Sequence, residues 1–374
     1  MIVSVPKETA PGEARVGLVP ELVSRLTKAG ATVVVEATAG ARAGFPDDAY
    51  RDAGARLESD LSALWGGADA VLKVQEPRED EIGRMKPGAV LLGLLRPSER
   101  PELLPLYAAR GILAFALERV PRTSRAQKMD ALSAMSTIAG YKAVLLGAAR
   151  LPRFFPLLMT AAGTIPPARV FILGAGVAGL SAIATARRLG AVVEAFDIRP
   201  AVREEVQSLG ATFVGPGDGH APVASVGGAG GSGAYAGELS DEAKLKEQEL
   251  IAAHVATADV VITTALVPGR RAPMLVTEGM VRRMKSGAVV VDLAAEAGGN
   301  CALTRPGEEV DAGGVTVLGP LNLPATVPGD ASRMYGRTIA ALFLHLVKDG
   351  AIAPDFDDDI VRGSCIARPG GVPA

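Results

Sequence analysis

Short apolar runs alternate with amphipathic stretches along most of the chain. Runs rich in Val, Ile and Leu, bounded by Gly, Pro or charged residues, predict strands. In the first third these fall at Ile2–Val5, Thr32–Glu36, Ala70–Val74, Ala89–Leu92 and Leu113–Ala116. Helical patterns such as Glu21–Ala29 and Pro101–Arg110 lie between them. Further strands are expected at Val260–Thr264, Ala288–Leu293 and Val315–Leu318. Such alternation specifies an α/β fold. Two longer helical patterns sit at the joints. Ser124–Arg150 opens on Ser124 as N-cap, and Ala331–Lys348 is stopped by Gly350. The expected architecture is two doubly wound Rossmann-like domains linked by these two long helices, the second domain inserted into the first. The N-terminal domain takes residues 1–135 plus 335–374, and the inserted one takes 136–334. A chain of 374 residues is long enough for both.

The richest stretch is Val170–Asp197, VFILGAGVAGLSAIATARRLGAVVEAFD. An apolar strand meets Gly174, Gly176 and Gly179 in G-x-G-x-x-G spacing, and a helical pattern follows to Arg188. Gly174 permits the tight turn, Gly176 lets backbone approach a pyrophosphate, and Gly179 lets helix and strand pack closely. The helix start offers free N–H groups and a positive dipole end to phosphates. Asp197 lies 18 positions beyond Gly179, where an acid can accept hydrogen bonds from an adenosine ribose. These parts together predict a dinucleotide site. A carboxylate there suits the free 2′-hydroxyl of NAD(H) and repels the 2′-phosphate of NADP(H). Arg199 could accept that phosphate, although a place over the adenine or in solvent is the plainer reading.

Bulk properties narrow the field. Apolar residues make up 48% of the chain and charged ones 21%, unlike a disordered chain. A net charge of −2 gives no basic footprint for nucleic acid. Cys301 and Cys365 are too few for a disulfide framework and fit a reducing compartment. The start, MIVSVPKE, reads as a strand and not as a signal peptide. Val170–Ala186 is a 17-residue uncharged run, near transmembrane length, but the glycine motif makes it a buried strand–helix unit. His220, His254 and His345 have no ligand spacing, so no metal is expected.

Other candidates carry less on their own. Arg122, Arg125, Gln127, Asp130 and Ser133 cluster at the start of the first long helix, with Gln127, Asp130 and Ser133 three apart and so on one face. They could orient a planar amide or a ribose, or be ordinary polar decoration. Arg15 and Lys73 could hold a carboxylate, or be surface ion pairs. The Gly-, Ala- and Ser-rich segment 215–237 is either a functional lid, with Tyr235 covering a ligand, or an inert insertion. No nucleophile or acid–base motif is evident. Hydride transfer needs none when two cofactors are held face to face.

The residues also carry a resemblance. PKE with Arg15–Pro20, RVGLVP, resembles the alanine dehydrogenase and transhydrogenase superfamily. Within it, five strings are similar to the NAD(H)-binding domain of proton-translocating nicotinamide nucleotide transhydrogenase. They are RAQKMDALS from Arg125, AGY from Ala139, LMTAAGTIPPARVFILGAGVAGL from Leu158, TTALVPGRRAP from Thr263 and VDLAAEAGGN from Val291. The resemblance implies an enzyme subunit that binds NAD(H) and passes hydride to NADP(H) held on a partner. It further implies a homodimer, docked on a membrane-spanning proton-channel subunit and an NADP(H)-binding beta subunit. The chain would then be cytoplasmic, peripheral on the inner face of the plasma membrane, and the first piece of a split alpha subunit. By position, Arg122, Gln127, Asp130 and Ser133 fall on the nicotinamide-side loop and Tyr235 on a mobile-lid tyrosine. Val177, Asp197, Ile198, Arg199 and Leu266 join the glycines as dinucleotide contacts. The alternative is an alanine dehydrogenase, whose substrate-carboxylate and lysine positions fall on Arg15 and Lys73. Its catalytic histidine is missing from Leu92–Pro97, however, and Glu296 stands where that family has an aspartate. A non-enzymatic NAD-binding regulator is a second alternative.

Overall fold

The computed structural model describes residues 1–215, 241–266 and 271–371. They form two units: Met1–Met135 with Pro324–Ala374, and Ser136–Leu323.

In the first unit six strands come from the N-terminal part: β1 Ile2–Val5, β2 Thr32–Glu36, β3 Arg56–Glu58, β4 Ala70–Gln75, β5 Val90–Leu94 and β6 Leu113–Ala116. The second unit opens with a hairpin, β7 Leu158–Thr160 and β8 Gly163–Ile165. Its main sheet holds β9 Arg169–Leu173, β10 Val192–Phe196, β11 Thr212–Val214, β12 Val260–Thr263, β13 Val289–Asp292, β14 Glu309–Asp311 and β15 Thr316–Leu318. The chain then returns to the first unit with a small hairpin, β16 Val347–Lys348 and β17 Ala351–Ile352, and with β18 Cys365–Ala367. Strand order is β18-β6-β5-β4-β1-β2-β3 in one sheet and β11-β10-β9-β12-β13-β15-β14 in the other. Both are parallel except at one edge, where β18 runs antiparallel to β6 and β14 to β15.

The second sheet is wound on both faces, and its strand residues alternate accordingly. Val170, Ile172, Val260, Ile262, Val289 and Val291 point into one cluster with Ile183 and Ala186 of helix Val177–Arg188. Phe171, Leu173, Val261 and Val290 point into the other with Ile251 and Val255 of helix Asp241–Thr257. The uncharged run from Val170 is thus a strand, a turn and a helix. Ala131–Arg150 is, by length and composition, the one helix among the described residues apolar enough to cross a membrane. Its Ala143 and Val144 instead lie in the first of these clusters.

Three expectations about the long elements change. Ser124–Arg150 is not one helix: Ser124–Met129 is a 3₁₀ segment, and the α-helix starts at Ala131. The break is at Asp130 (ψ 88), whose carboxylate accepts the N–H and hydroxyl of Ser133. Asp130 therefore caps the helix at its third residue, and Ser124 caps nothing. Helix Pro328–His345 starts earlier than expected, with Pro328 in its first turn, and it ends before Val347. Asp349 and Gly350, both left-handed, turn the chain into the β16–β17 hairpin. Finally, the inserted unit ends at Leu323, ahead of this helix, so the chain crosses once within Ala131–Arg150 and returns in the 3₁₀ segment Leu323–Thr326.

Candidate functional site

In the second unit β9 has β10 on one side and β12 on the other, so the direction of winding reverses beside β9. Ligands of such sheets bind at the carboxyl ends of the strands flanking that reversal. The Gly174–Gly179 turn emerges there. Gly174 has φ +103, and a Cβ on it would sit 2.5 Å from Thr264 Oγ1. A Cβ on Gly179 would lie 1.8 Å from the Gly174 carbonyl oxygen, so only glycine lets the helix start this close to the strand. Gly176 differs. A Cβ there would meet nothing within 4 Å, which leaves open space over the N-terminus of helix Val177–Arg188. These features fit a pyrophosphate, which Val177, Ala178 and Gly179 can meet with first-turn N–H groups.

Asp197 follows β10 and is buried. Its Oδ2 accepts the Ala175 N–H at 2.8 Å, which ties the acid to the glycine turn. Arg199 is half-exposed to solvent, as the plainer reading had it, but its guanidinium folds back onto the acid. Its backbone N–H and Nε donate to Oδ1, and its Nη2 donates to Oδ2 at 2.9 Å. Burial disfavours the Asp197 charge, but the hydrogen bonds from Arg199 and Ala175 outweigh it and hold the carboxyl below its ordinary range. Val177 and Leu266 expose apolar side chains beside the turn and after β12, and Ile198 is half-buried next to Asp197.

Sequence reasoning missed what holds the loop bearing Leu266. Thr264 Oγ1 donates to the carbonyls of Leu173 and Gly174. Asn300 accepts from the Ala265 N–H and donates to the carbonyls of Ala265 and Pro273. Asp292, fully buried, accepts from Thr263, Ala294, Asn300, Cys301 and Thr304 and so orders the segment carrying Asn300. The signal was the string from Val291, a buried acid followed by a glycine pair and Asn.

In the first unit, Arg122, Gln127, Asp130 and Ser133 line one cavity of about 300 Å³, with Pro121, Thr123, Ser124 and Ala126. Gln127 lies in the 3₁₀ segment, where residues three apart eclipse, and Asp130 at its end holds Ser133 of the next helix, so the spacing of three keeps them together. Arg125 points elsewhere, to Asp358 at 2.8 Å and to Asp359. Tyr235 and the segment 216–240 lie outside the described residues.

Arg15 and Lys73 are buried, not surface ion pairs, and each is taken by the chain itself. Arg15 forks onto both carboxylate oxygens of Glu13, at 2.8 and 2.6 Å. Lys73 Nζ lies 3.3 Å from Glu8 and 5.7 Å over the Trp65 ring. Gln75 donates to Glu13 and accepts from Arg96, each at 2.7 Å. Arg96, within the Leu92–Pro97 stretch, is left-handed with φ 47. Glu296 is exposed and accepts the Asn322 N–H. Neither cation is open to a substrate carboxylate in this arrangement.

Comparison with known proteins divides the chain once, near residue 140, and keeps the returning segment Pro324–Ala374 with the C-terminal part. The N-terminal domain model of the alanine dehydrogenase/PNT family matches residues 4–139 and its C-terminal domain model matches residues 143–373. The chain is 44% identical to the first piece of the NAD(P) transhydrogenase alpha subunit of Rhodospirillum rubrum, covering all of this chain and 97% of that one. It is 31% identical to alanine dehydrogenase of Bacillus subtilis, with 100% and 92% covered. The crystal structure of transhydrogenase from Sinorhizobium meliloti superposes with a TM-score of 0.90 at 42% identity, with both chains covered fully. Matched in both domains and along its whole length, the chain belongs to the alanine dehydrogenase/PNT family.

Proposed function

We propose that this chain is the NAD(H)-binding subunit of a proton-translocating NAD(P) transhydrogenase. The reading rests on the open glycine turn at the winding reversal, tied through Ala175 to a buried acid. That is an NAD(H) site by its chemistry. The naming of the end-to-end relatives supports the choice of reaction.

Bound nicotinamide supplies or accepts the hydride, and NADP(H) sits on a partner beta subunit. The residues of this chain bind and orient. Gly174, Gly176, Gly179, Val177, Asp197, Ile198, Arg199 and Leu266 take the dinucleotide. Arg122, Gln127, Asp130 and Ser133 take the nicotinamide end, where Gln127 has the donor and acceptor that an amide needs. Tyr235, outside the described residues, is assigned to the nucleotide by the resemblance alone. Amino-acid dehydrogenation is disfavoured, because Arg15 and Lys73 are already neutralised by Glu13 and Glu8.

The chain works as a homodimer, seated on a membrane-spanning proton-channel subunit at the cytoplasmic face of the plasma membrane. Phe154, Leu157, Met159 and Ile165, all 40–75% exposed on and before the β7–β8 hairpin, support burial against a second copy. Mixing the purified chain with an NADP(H)-binding partner should give hydride transfer from NADH to NADP⁺. Reduction of pyruvate with ammonium by the chain alone, with no transfer in the mixture, would move the assignment to alanine dehydrogenase.

A further inference from the structure

In the first unit, helices Pro20–Thr27 and Pro328–His345 approach closely at Gly336, where an added Cβ would sit 3.0 Å from Leu22 Cδ1. On one side of this approach the charges match, with Arg333 Nε 3.3 Å from Glu21. One turn further along each helix stand Arg25 and Arg337. Both line a cavity of about 380 Å³, joined by Lys128 from the 3₁₀ segment. Ala134, Met334, Thr338 and Ala341 complete the wall, and no carboxylate faces it. No acid among the described residues lies within ion-pair distance of any of the three cations. Arg15, Arg78, Arg100, Arg125 and Arg333 of the same unit each hold one.

Three like charges on one concave wall repel each other and concentrate positive potential. A multivalent anion reverses both effects, and guanidinium forks match phosphate oxygens two at a time. Met334 and Ala341 add apolar wall for a carbon skeleton, and the volume lies within the roughly 300–1,000 Å³ of small-molecule sites. We propose that this cavity binds a phosphorylated small metabolite, at a site separate from the glycine turn. Lys128 adjoins Gln127 in the chain, so an occupant that ties Lys128 down also steadies the segment bearing Gln127. That coupling rests on the role given to Gln127 above; the binding does not.

Calorimetric titration of the full chain with inorganic pyrophosphate tests the site, with saturating NADH present to fill the glycine turn. Saturable binding is expected, weakened on the order of ten-fold in Arg25→Gln and in Arg337→Gln and abolished in Arg337→Glu. NADH affinity should stay unchanged in all three. Absence of saturable heat overturns the site. So does pyrophosphate binding that NADH displaces and that Arg337→Gln leaves intact, since that binding belongs to the glycine turn. Failure to bind NADH defeats the dinucleotide reading and leaves the dependence on Arg25 and Arg337 to decide this one.

Discussion

At the scale of single residues, the function proposed above makes Asp197 and Arg199 the pair that sets which nucleotide is preferred. A carboxylate offers about four acceptor positions, and three donors from Arg199 with one from Ala175 occupy them. A ribose must displace the guanidinium, and the displaced cation stays close to the 2′ position. NADH should still bind more tightly than NADPH, but by less than an uncovered acid would give. Arg199→Gln should widen the preference by about ten-fold by weakening NADPH, and Asp197→Asn should narrow it. Fluorescence titration of both nucleotides against both variants checks this; an unchanged ratio in Arg199→Gln removes Arg199 from selectivity. The acid adds a pH dependence. Its folded pKa lies below its unfolded value, so its contribution to stability is complete above about pH 4 and is lost as pH falls through the folded value. Sequence spacing located Asp197. It could not show Arg199 folding back two residues, because that depends on the side chain's path.

At the scale of elements, the segment from Ser124 to Ser133 teaches most. Periodicity made one helix of it, since its residues are good helix formers and its caps are ambiguous. What breaks it is a local competition, in which Asp130 satisfies the third N–H of the next helix and gives up helical backbone itself. The same four residues converge on a cavity all the same. Cap and chemistry can be separated. Asparagine caps nearly as well as aspartate, whereas alanine costs about 1 kcal/mol. Asp130→Asn should therefore keep its urea midpoint yet lower reconstituted hydride transfer, on the order of 100-fold if orientation at the nicotinamide is lost. Asp130→Ala should lose both. Native transfer rates in Asp130→Asn would leave Asp130 a cap alone. The glycine turn, by contrast, was legible residue by residue, because Gly174 and Gly179 answer to sterics that no other residue meets. The Asp349–Gly350 turn carried an equally plain hairpin signal, overridden by the helical pattern before it.

At the scale of the molecule, two sheets that share the strand order 3-2-1-4-5 differ in what fills the winding reversal. In the first unit β1 lies between β2 and β4, as β9 lies between β10 and β12. There the crevice is closed by Glu8, which accepts the Val74 N–H and meets Lys73, and by Tyr335, whose hydroxyl donates to the Lys73 carbonyl. Burial raises the Glu8 pKa despite Lys73, so removing the lysine leaves a buried acid held by backbone N–H groups alone. Lys73→Met should cost about 3–5 kcal/mol, and adding Glu8→Gln should restore much of it. A double-mutant cycle by urea unfolding measures the coupling; simple additivity would show the pair to be incidental. Fold class and the places of the longer strands were readable from the alternation of apolar runs. This filling of one crevice was not, because Arg15 and Lys73 look like surface residues until the sheet closes over them.

The placement of Pro324–Ala374 in the first unit also sets an order of events during synthesis. β18 is the edge that covers β6, and helix Pro328–His345 delivers Tyr335 to the β4 backbone. None of these exists when the ribosome has finished the contiguous Ser136–Leu323 stretch. At roughly 5–20 residues per second, the nascent first unit waits for seconds with a sheet edge bare, while the nucleotide-binding unit is already whole. The earliest residues of this protein are thus among the last to reach their final surroundings.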